Sequence, residues 1–253
     1  MKPLLKLIQV IYSIYVILLF VILLLIIFPF VLLASVFGKV KGGNIIYRIC
    51  SAWSDVWFLL IGIHPKKIKK TAAPRPGDQY IFVANHISFL DIAMIVKTIR
   101  QPTRPLAKAE IAKVPVFGFL YRYGAIMVDR SNAENRKKSV LQLKSVLRKG
   151  ISIFIFPEGT FNTTPGLLKE FYDGAFRIAI ETQTPLLPVI FPDTVKRLHY
   201  TSVLSFTPGV CRAFFLEPIP VDSLTIDDLP ALKMNVYNTM KAALKEIADG
   251  GIL

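Results

Sequence analysis

The feature that most constrains this chain is a long apolar segment near its start. No charged side chain occurs between Lys6 and Lys39. The segment exceeds the roughly 20 apolar residues that an α-helix needs to cross a membrane, and the apolar core of roughly 7 to 15 residues in a cleaved signal peptide. We therefore expect it to be retained. Pro29 predicts either a kink or a re-entrant turn with residues 30–37 returning along the interface, so a spanning helix and a hairpin both stay open.

The next segment predicts a second helix. Residues 44–63 have an amphipathic pattern with two tryptophans, which is typical of a helix at the lipid headgroup boundary and equally of a core helix. Ala72 to Asp78 then form a turn-rich linker, after which the composition becomes that of a globular domain. We expect membrane-anchoring helices over residues 1–71 and one catalytic domain over residues 72–253.

The charge balance predicts an anionic partner. The chain has 31 basic and 17 acidic residues, a net charge of +14. Such a surface favours nucleic acid, an anionic lipid surface or a phosphorylated substrate. Residues 64–70 carry four lysines directly after the apolar region, which favours the lipid membrane, with a solvated loop as the alternative. No zinc-finger or ribonucleoprotein signature supports nucleic acid. Cys50 and Cys211 lie far apart without nearby ligands, so we expect no disulfide framework and no metal site.

The rest of the chain alternates between apolar runs and helical patterns. This alternation predicts an α/β fold with a mixed, mostly parallel central sheet flanked by helices. The strand and helix pairs are 80–84 with 88–98, 126–128 with 133–147, and 151–156 with 174–182. Further strands are predicted at 186–191 and 210–216, and a closing amphipathic helix at 231–247.

A histidine and an aspartate lie where the first of these strands meets its helix. His86 follows the predicted strand, and Asp91 falls five residues later near the first helical turn. If the chain turns tightly between them, the carboxylate reaches one imidazole nitrogen and leaves the other free to act as a general base. The alternative is a structural turn histidine and a carboxylate that stabilises the helix start.

A second polar turn follows the predicted strand at 151–156. Glu158 is a candidate acceptor of hydrogen bonds from substrate hydroxyls, Gly159 permits close backbone approach, and Thr160 can donate to a phosphate. A plain Pro-Glu-Gly turn is the alternative.

Two cations are candidate phosphate ligands. Arg130, after the predicted strand at 126–128, can bind phosphate through two parallel hydrogen bonds, or else pair with Asp129 or a helix end. Lys108 is a further candidate contact, or only a surface lysine.

In this order, the segments resemble the glycerolphosphate acyltransferase superfamily, particularly the 1-acyl-sn-glycerol-3-phosphate acyltransferases. The N-H-x4-D motif of that family is matched at Asn85 to Asp91 and its F-P-E-G-T motif at Phe156 to Thr160. Its strand ending in Asp-Arg is matched at Asp129-Arg130, and its proline-marked strand near Pro185 to Pro188. The resemblance covers roughly residues 76–216.

The resemblance implies an acyltransferase site. His86 would deprotonate an acceptor hydroxyl, Asp91 would orient it, and Arg130 with residues 158–160 would hold the acceptor phosphate. The donor would be a fatty acyl thioester on coenzyme A (acyl-CoA) or acyl carrier protein (acyl-ACP), a co-substrate, with no other cofactor. We expect a membrane protein whose catalytic domain faces the cytoplasm.

Two departures from the family pattern affect the acceptor. Phe161 stands where many relatives have a basic residue after F-P-E-G-T, and Asp173 replaces a usual basic residue before a glycine. Lysophosphatidic acid is the expected acceptor. Another lysophospholipid or an amino-acid-containing lyso-lipid is the alternative acceptor, and a non-catalytic lipid-binding protein is the alternative function.

Overall fold

The computed structural model describes residues 3–69, 78–128 and 133–250. The predicted linker therefore lies almost wholly outside the described residues. The helices are α1 (Pro3–Ser35), α2 (Gly43–Leu60), α3 (Leu90–Thr98), α4 (Phe117–Gly124), α5 (Ala133–Leu147), α6 (Gly174–Thr182), α7 (Thr194–Arg197) and α8 (Leu229–Ala248). The strands are β1 (Ile63–Lys69), β2 (Ile81–Ala84), β3 (Thr103–Lys108), β4 (Ile126–Val128), β5 (Ser152–Ile155), β6 (Leu186–Ile190) and β7 (Gly209–Phe215).

The strands form one seven-stranded sheet, in the order β1-β7-β6-β2-β5-β3-β4. All neighbours are parallel except β6 and β7, which are antiparallel. The predicted α/β class with a mixed, mostly parallel sheet is confirmed. The carboxyl ends of β2 and β5 lie at the same edge, so the turns that follow these strands are brought together.

Helices cover both faces of the sheet because side chains alternate along each strand. Ile81 and Val83 of β2 join a core with α5, α6 and α8. Phe82 and Ala84 point the other way, into a core with α2 and α3. Val16 of α1 belongs to this second core. The N-terminal helices are thus packed onto the sheet domain.

Helix α1 continues through Pro29 to Ser35, so a re-entrant turn at that proline is wrong. The chain instead reverses after α1, through a π-helical turn at Gly38–Gly42 that leads into α2. Helices α1 and α2 pack against each other and form a helical hairpin. A proline is tolerated inside a long apolar helix when neighbouring groups satisfy the freed backbone carbonyl.

One stripe of α1 is buried and the rest of its surface is apolar and exposed. The buried positions recur every three to eight residues: Ser13, Val16, Leu24, Val31 and Ala34. Large exposed apolar side chains occupy the other faces along the full length. Among the described residues, α1 alone is long and apolar enough to cross a membrane.

Strand β1 was not predicted. It contains Pro65 and three lysines, and it pairs with β7 at the edge of the sheet. Edge strands tolerate prolines and charges because one side of the strand makes no ladder hydrogen bonds. The sheet therefore begins before the predicted domain boundary, and the basic segment there is partly a strand.

Candidate active site

Asn85 fixes the end of β2 where the site begins. Its side-chain amide donates to the Phe191 carbonyl at 3.0 Å, and its carbonyl oxygen accepts from the Phe191 amide at 2.8 Å. This pair continues the β2–β6 ladder by one step through a side chain. It sets where the chain leaves the sheet, directly before His86.

The distance between His86 and Asp91 agrees with the expectation from their spacing. Asp91 Oδ2 lies 2.8 Å from His86 Nδ1 and also accepts hydrogen bonds from the amides of Ile87 and Ser88, at 2.8 and 2.9 Å. Asp91 is fully buried. Because a carboxylate only accepts, Nδ1 carries the proton and Nε2 is left with a free lone pair. An imidazole in this state can accept a proton from a substrate.

Two aromatic rings enclose the imidazole. Phe156 stacks on it with ring centroids 3.8 Å apart, and Phe161 packs edge-on with centroids 4.3 Å apart. The His86 side chain is only 16% exposed. Sequence reasoning did not assign either ring to the site, although Phe156 opens the F-P-E-G-T motif. Phe161 supplies an apolar wall to the cavity.

Glu158 has a different environment from the one predicted. It is 1% exposed, and its two oxygens accept hydrogen bonds from the backbone amides of His86, at 2.9 Å, and Lys169, at 2.8 Å. Burial raises the pKa of its carboxyl, against the opposite effect of these amides. Glu158 does not line the cavity that contains His86. Glu158 joins the turn at His86 to the segment that approaches α6.

The next two residues of the motif line the open part of the site. Gly159 has φ +73°, a conformation that favours glycine, and its amide closes the turn onto Phe156. Thr160 is exposed, and its hydroxyl accepts from the Lys169 ammonium at 2.6 Å. Sequence reasoning did not single out Lys169. Lys169 places a cation beside the loop that contains Thr160 and Phe161.

The other predicted site residues are placed as follows. Lys108, at the end of β3, is exposed and lines the same cavity as His86, Gly159 and Thr160. Arg130 lies outside the described residues. Asp173 forms an ion pair with Lys233 of α8 at 2.7 Å, so its carboxylate lies on the surface beside that helix.

Two adjoining cavities meet beside the imidazole. The first, of about 390 Å³, contains His86, Lys108, Gly159 and Thr160. The second has a similar volume, about 390 Å³, and is lined almost entirely by apolar side chains of α1, α2, α3 and α4. Five residues form walls of both: Phe89, Ile92, Pro105, Ile111 and Tyr121. A chamber that contains the imidazole and a few polar groups, which we call the reaction chamber, thus borders an almost wholly apolar chamber below the N-terminal helices.

The arrangement can perform acid–base chemistry. A buried carboxylate orients an imidazole, and cations stand beside the chamber. Within the described ranges, no group of three or more His, Cys, Asp or Glu side chains is placed to hold a metal ion.

Comparison with known proteins gives consistent matches. The sequence model of the Acyltransferase family matches residues 64–192. The human 1-acyl-sn-glycerol-3-phosphate acyltransferase alpha is 29% identical over 178 residues, which are 70% of this chain and 62% of that protein. A 1-acyl-sn-glycerol-3-phosphate acyltransferase from Cocos nucifera is 31% identical over 218 residues, which are 85% of this chain and 66% of that protein. The chain spans less than two thirds of the length of these relatives.

A solved structure has the same fold. The crystal structure of the 1-acyl-sn-glycerophosphate (LPA) acyltransferase PlsC from Thermotoga maritima superposes with a TM-score of 0.77 at 20% identity, over 98% of both chains. The match includes the N-terminal helices as well as the sheet.

Proposed function

We propose that this chain, which belongs to the acyltransferase family, transfers a fatty acyl group from an acyl thioester to the free hydroxyl of a lysophosphatidic-acid-like acceptor. The observation that carries the proposal is the 2.8 Å contact between His86 Nδ1 and the buried Asp91 carboxylate, in a cavity that Lys108 also lines. The names of the curated relatives support the choice of acceptor.

In the proposed reaction His86 is the general base. Its Nε2 takes the proton of the acceptor hydroxyl while that oxygen attacks the carbonyl carbon of the thioester. The tetrahedral intermediate collapses, the carbon–sulfur bond breaks, and the thiolate leaves and receives the proton from His86. Asp91 holds the tautomer and stabilises the imidazolium between the two steps. A hydroxyl is a poor nucleophile until it loses its proton, whereas a thiol is a good leaving group, so a base is the main requirement.

We propose that the apolar chamber holds the acyl chain. It borders the reaction chamber through five shared wall residues, so a chain inside it places the thioester carbonyl beside His86. Its lining by α1 and α2 allows a chain to enter from the lipid that surrounds those helices.

We propose that the acceptor phosphate binds beside Thr160. Lys108 and Lys169 supply positive charge there, and Arg130 is the third expected ligand. Ammonium and guanidinium groups are the usual phosphate ligands of proteins. The donor carrier, coenzyme A or acyl carrier protein, is a co-substrate, and the catalytic mechanism uses no other cofactor.

We propose that the protein is bound to a membrane through α1. Large apolar side chains are exposed on this helix and no charged side chain occurs in it after Lys6, and exposing such a surface to water is unfavourable. The net charge of +14 suits the anionic cytoplasmic leaflet, so we place the catalytic domain on that side.

The test is acceptor-dependent release of free thiol from acyl-CoA and acyl-ACP by the purified protein. His86→Ala and Asp91→Asn should each lower kcat by about 10²- to 10⁴-fold, the usual contribution of general acid–base catalysis. His64→Ala, which removes an exposed imidazole from β1, is the matched control and should retain activity. Full activity in His86→Ala would refute the mechanism.

The choice of acceptor needs its own panel, because Phe161 forms part of the chamber wall. Lysophosphatidic acid, other lysophospholipids and amino-acid-containing lyso-lipids should be compared at equal chain length. If the protein prefers an unphosphorylated acceptor, the proposed acyl transfer stands but the proposed acceptor is wrong. Absence of transfer to every acceptor would favour a non-catalytic lipid-binding protein.

A further inference from the structure

A third cavity lies at the amino ends of the strands, whereas His86 lies at their carboxyl ends. It has a volume of about 460 Å³ and is bordered by the beginnings of β3 and β4, the end of α5 and the α1–α2 connection. Because these strands are parallel to β2, their beginnings point away from the edge that carries the catalytic turns. The cavity belongs to neither chamber of the proposed active site.

The walls of this cavity carry one sign of charge. Four basic residues line it, each from a different element: Lys39, Arg104, Arg122 and Lys149. No acidic residue is among its lining residues. In the part of the chain that the structure describes, none of these four side chains forms an ion pair.

Arg104 provides the second observation, because it is a buried charge without a counter-ion. It is 3% exposed, and its guanidinium donates only to neutral oxygens: Asn44 Oδ1 at 2.7 Å, the carbonyls of Lys39 and Val40 at 3.4 Å each, and the Thr103 carbonyl at 3.5 Å. Burial lowers its pKa to about 10, so it is still charged at neutral pH. Arg212, by contrast, is paired with Asp193 at 2.7 Å. A buried charge is costly unless an opposite charge compensates it, so Arg104 is prepared for an anion from outside the described chain.

The surroundings of the cavity indicate the kind of anion. Val36, Phe37 and Val40, at the turn between α1 and α2, are exposed apolar side chains beside Lys39. Val40 also lines the cavity. A soluble anion would gain nothing from these side chains, whereas the acyl chains of a lipid would cover them.

We propose that this cavity binds the phosphate of an anionic diacyl phospholipid, at a site separate from the active site. The headgroup contacts the basic walls, and the acyl chains lie along the turn between α1 and α2. The lipid thereby connects the helical hairpin to the sheet edge at β3 and β4. It is neither donor nor acceptor in the proposed reaction.

Lipid retention measured by native mass spectrometry tests the proposal. The full chain in non-ionic detergent is titrated with phosphatidylglycerol or with phosphatidylcholine of the same acyl chains. We expect one phosphatidylglycerol per chain and much weaker retention of zwitterionic phosphatidylcholine. His86→Ala should bind phosphatidylglycerol as the unaltered chain does, which separates this site from the proposed catalytic one.

A pair of double variants locates the site. Arg122→Gln with Lys149→Gln removes two exposed basic side chains of the cavity, and Arg148→Gln with Arg177→Gln removes two exposed basic side chains elsewhere. Each basic side chain near an anionic lipid contributes roughly fivefold in affinity. The first variant should raise the Kd for phosphatidylglycerol by at least about tenfold, and the second should leave it unchanged. Circular dichroism and the thermal midpoint verify that both variants are folded.

Three outcomes would overturn the proposal. Unchanged phosphatidylglycerol binding in Arg122→Gln/Lys149→Gln would place the lipid elsewhere. Equal losses of phosphatidylglycerol affinity in both double variants would show that binding depends on the net charge of the protein and not on this cavity. If inorganic phosphate bound with the predicted dependence on Arg122 and Lys149 while phosphatidylglycerol did not, the cavity would be a site for a soluble anion.

Discussion

At the residue scale, buried carboxylates shape the turn at His86. The backbone amides of three successive residues donate hydrogen bonds to carboxylate oxygens. The His86 amide donates to Glu158, and the Ile87 and Ser88 amides donate to Asp91. Hydrogen bonds to charged acceptors are stronger than those between neutral groups. The turn is therefore held at each of its amides, which limits the movement of the imidazole. Asp91 orients the ring directly, and Glu158 holds the backbone from which the ring projects.

Glu158→Gln separates a positioning role from substrate binding. Glu158 now accepts hydrogen bonds from two backbone N–H groups. In the variant, the NH₂ group of the glutamine would face one of these N–H groups and leave it without an acceptor. We expect the free energy of unfolding to fall by about 1–3 kcal/mol and kcat to fall with it. Thermal unfolding and steady-state kinetics measure the two effects.

Glu181→Gln is the matched control for that substitution. Glu181 forms a partly exposed ion pair with Lys144 at 2.9 Å, so its replacement should change stability by at most about 1 kcal/mol. A higher KM for the acceptor in Glu158→Gln, with unchanged kcat and thermal midpoint, would instead indicate direct contact with substrate.

The sequence predicted the contact of His86 with Asp91 but not the environment of Glu158. The first contact is local, because five residues of turn and helix start bring the groups together. The second depends on amides 72 and 11 residues away in the chain. These distant contacts determine whether the glutamate of a Pro-Glu-Gly turn faces the protein interior or the solvent, and the local sequence does not contain them.

At the element scale, the first turn of α2 is packed tightly against the sheet domain. A Cβ atom added at Gly43 would lie 2.6 Å from the Tyr123 carbonyl oxygen and 2.6 Å from Arg104 Nη2. The carbonyl belongs to the end of α4 and cannot rotate away as a side chain does. Gly43 thus permits α2, α4 and β3 to approach each other closely.

A comparison of two glycine substitutions tests this packing. Gly43→Ala should destabilise the protein by about 1–3 kcal/mol, the usual effect of overpacking, although alanine favours helix more than glycine does. Gly174→Ala is the control, because a Cβ at the start of α6 meets no atom within 4 Å. That change should stabilise by about 0.4–1 kcal/mol. Equal effects on the thermal midpoint would contradict the close approach at α2.

The elements predicted from sequence are those whose residues agree with one local pattern. Helix α6 is found at the predicted residues, and α5 also, because each has an uninterrupted helical pattern between turn signals. Strands β1 and β3 were missed because Pro65 and Pro105 argue against a strand. Pro105 is accommodated where β3 changes its hydrogen-bonded neighbour from β5 to β4, a detail of sheet order that local patterns do not contain.

At the scale of the whole molecule, α1 has two kinds of surface. Its inward side lines the apolar chamber with Ile17, Phe20, Leu24 and Ile27. Its remaining faces present leucine, isoleucine and phenylalanine outward. A spanning helix that projects from a domain would leave most of its length free of protein contacts. Here contacts to the domain extend from Gln9, bonded to Ser205, to the residues that pack beside α2 and α4.

Leu18→Lys with Leu25→Lys tests membrane contact by the exposed faces. Both leucines are more than half exposed and neither lines the apolar chamber. A lysine at the centre of a bilayer costs about 2.5–3.5 kcal/mol, so the double variant should shift towards the unbound fraction in vesicle flotation. Leu141→Lys with Met234→Lys adds the same charge at exposed sites on α5 and α8 and should float normally. Identical flotation of both variants would exclude these faces of α1 as the lipid contact.

The long reach of α1 along the chain has a consequence for synthesis. Ser13 accepts a hydrogen bond from the Phe206 amide, 193 residues later, in the loop before the last strand. At about 5–20 residues per second, the ribosome delivers that loop about 10 to 40 seconds after the helix. During that interval α2 can already pack against the inner stripe of α1, but the contacts of that stripe with the sheet domain are not yet made. The outer faces of α1 never acquire a protein partner among the described residues. Under the proposed membrane attachment, the nascent chain can place its first helix in lipid before the sheet exists, and the sheet then assembles beneath a helix that is already in position.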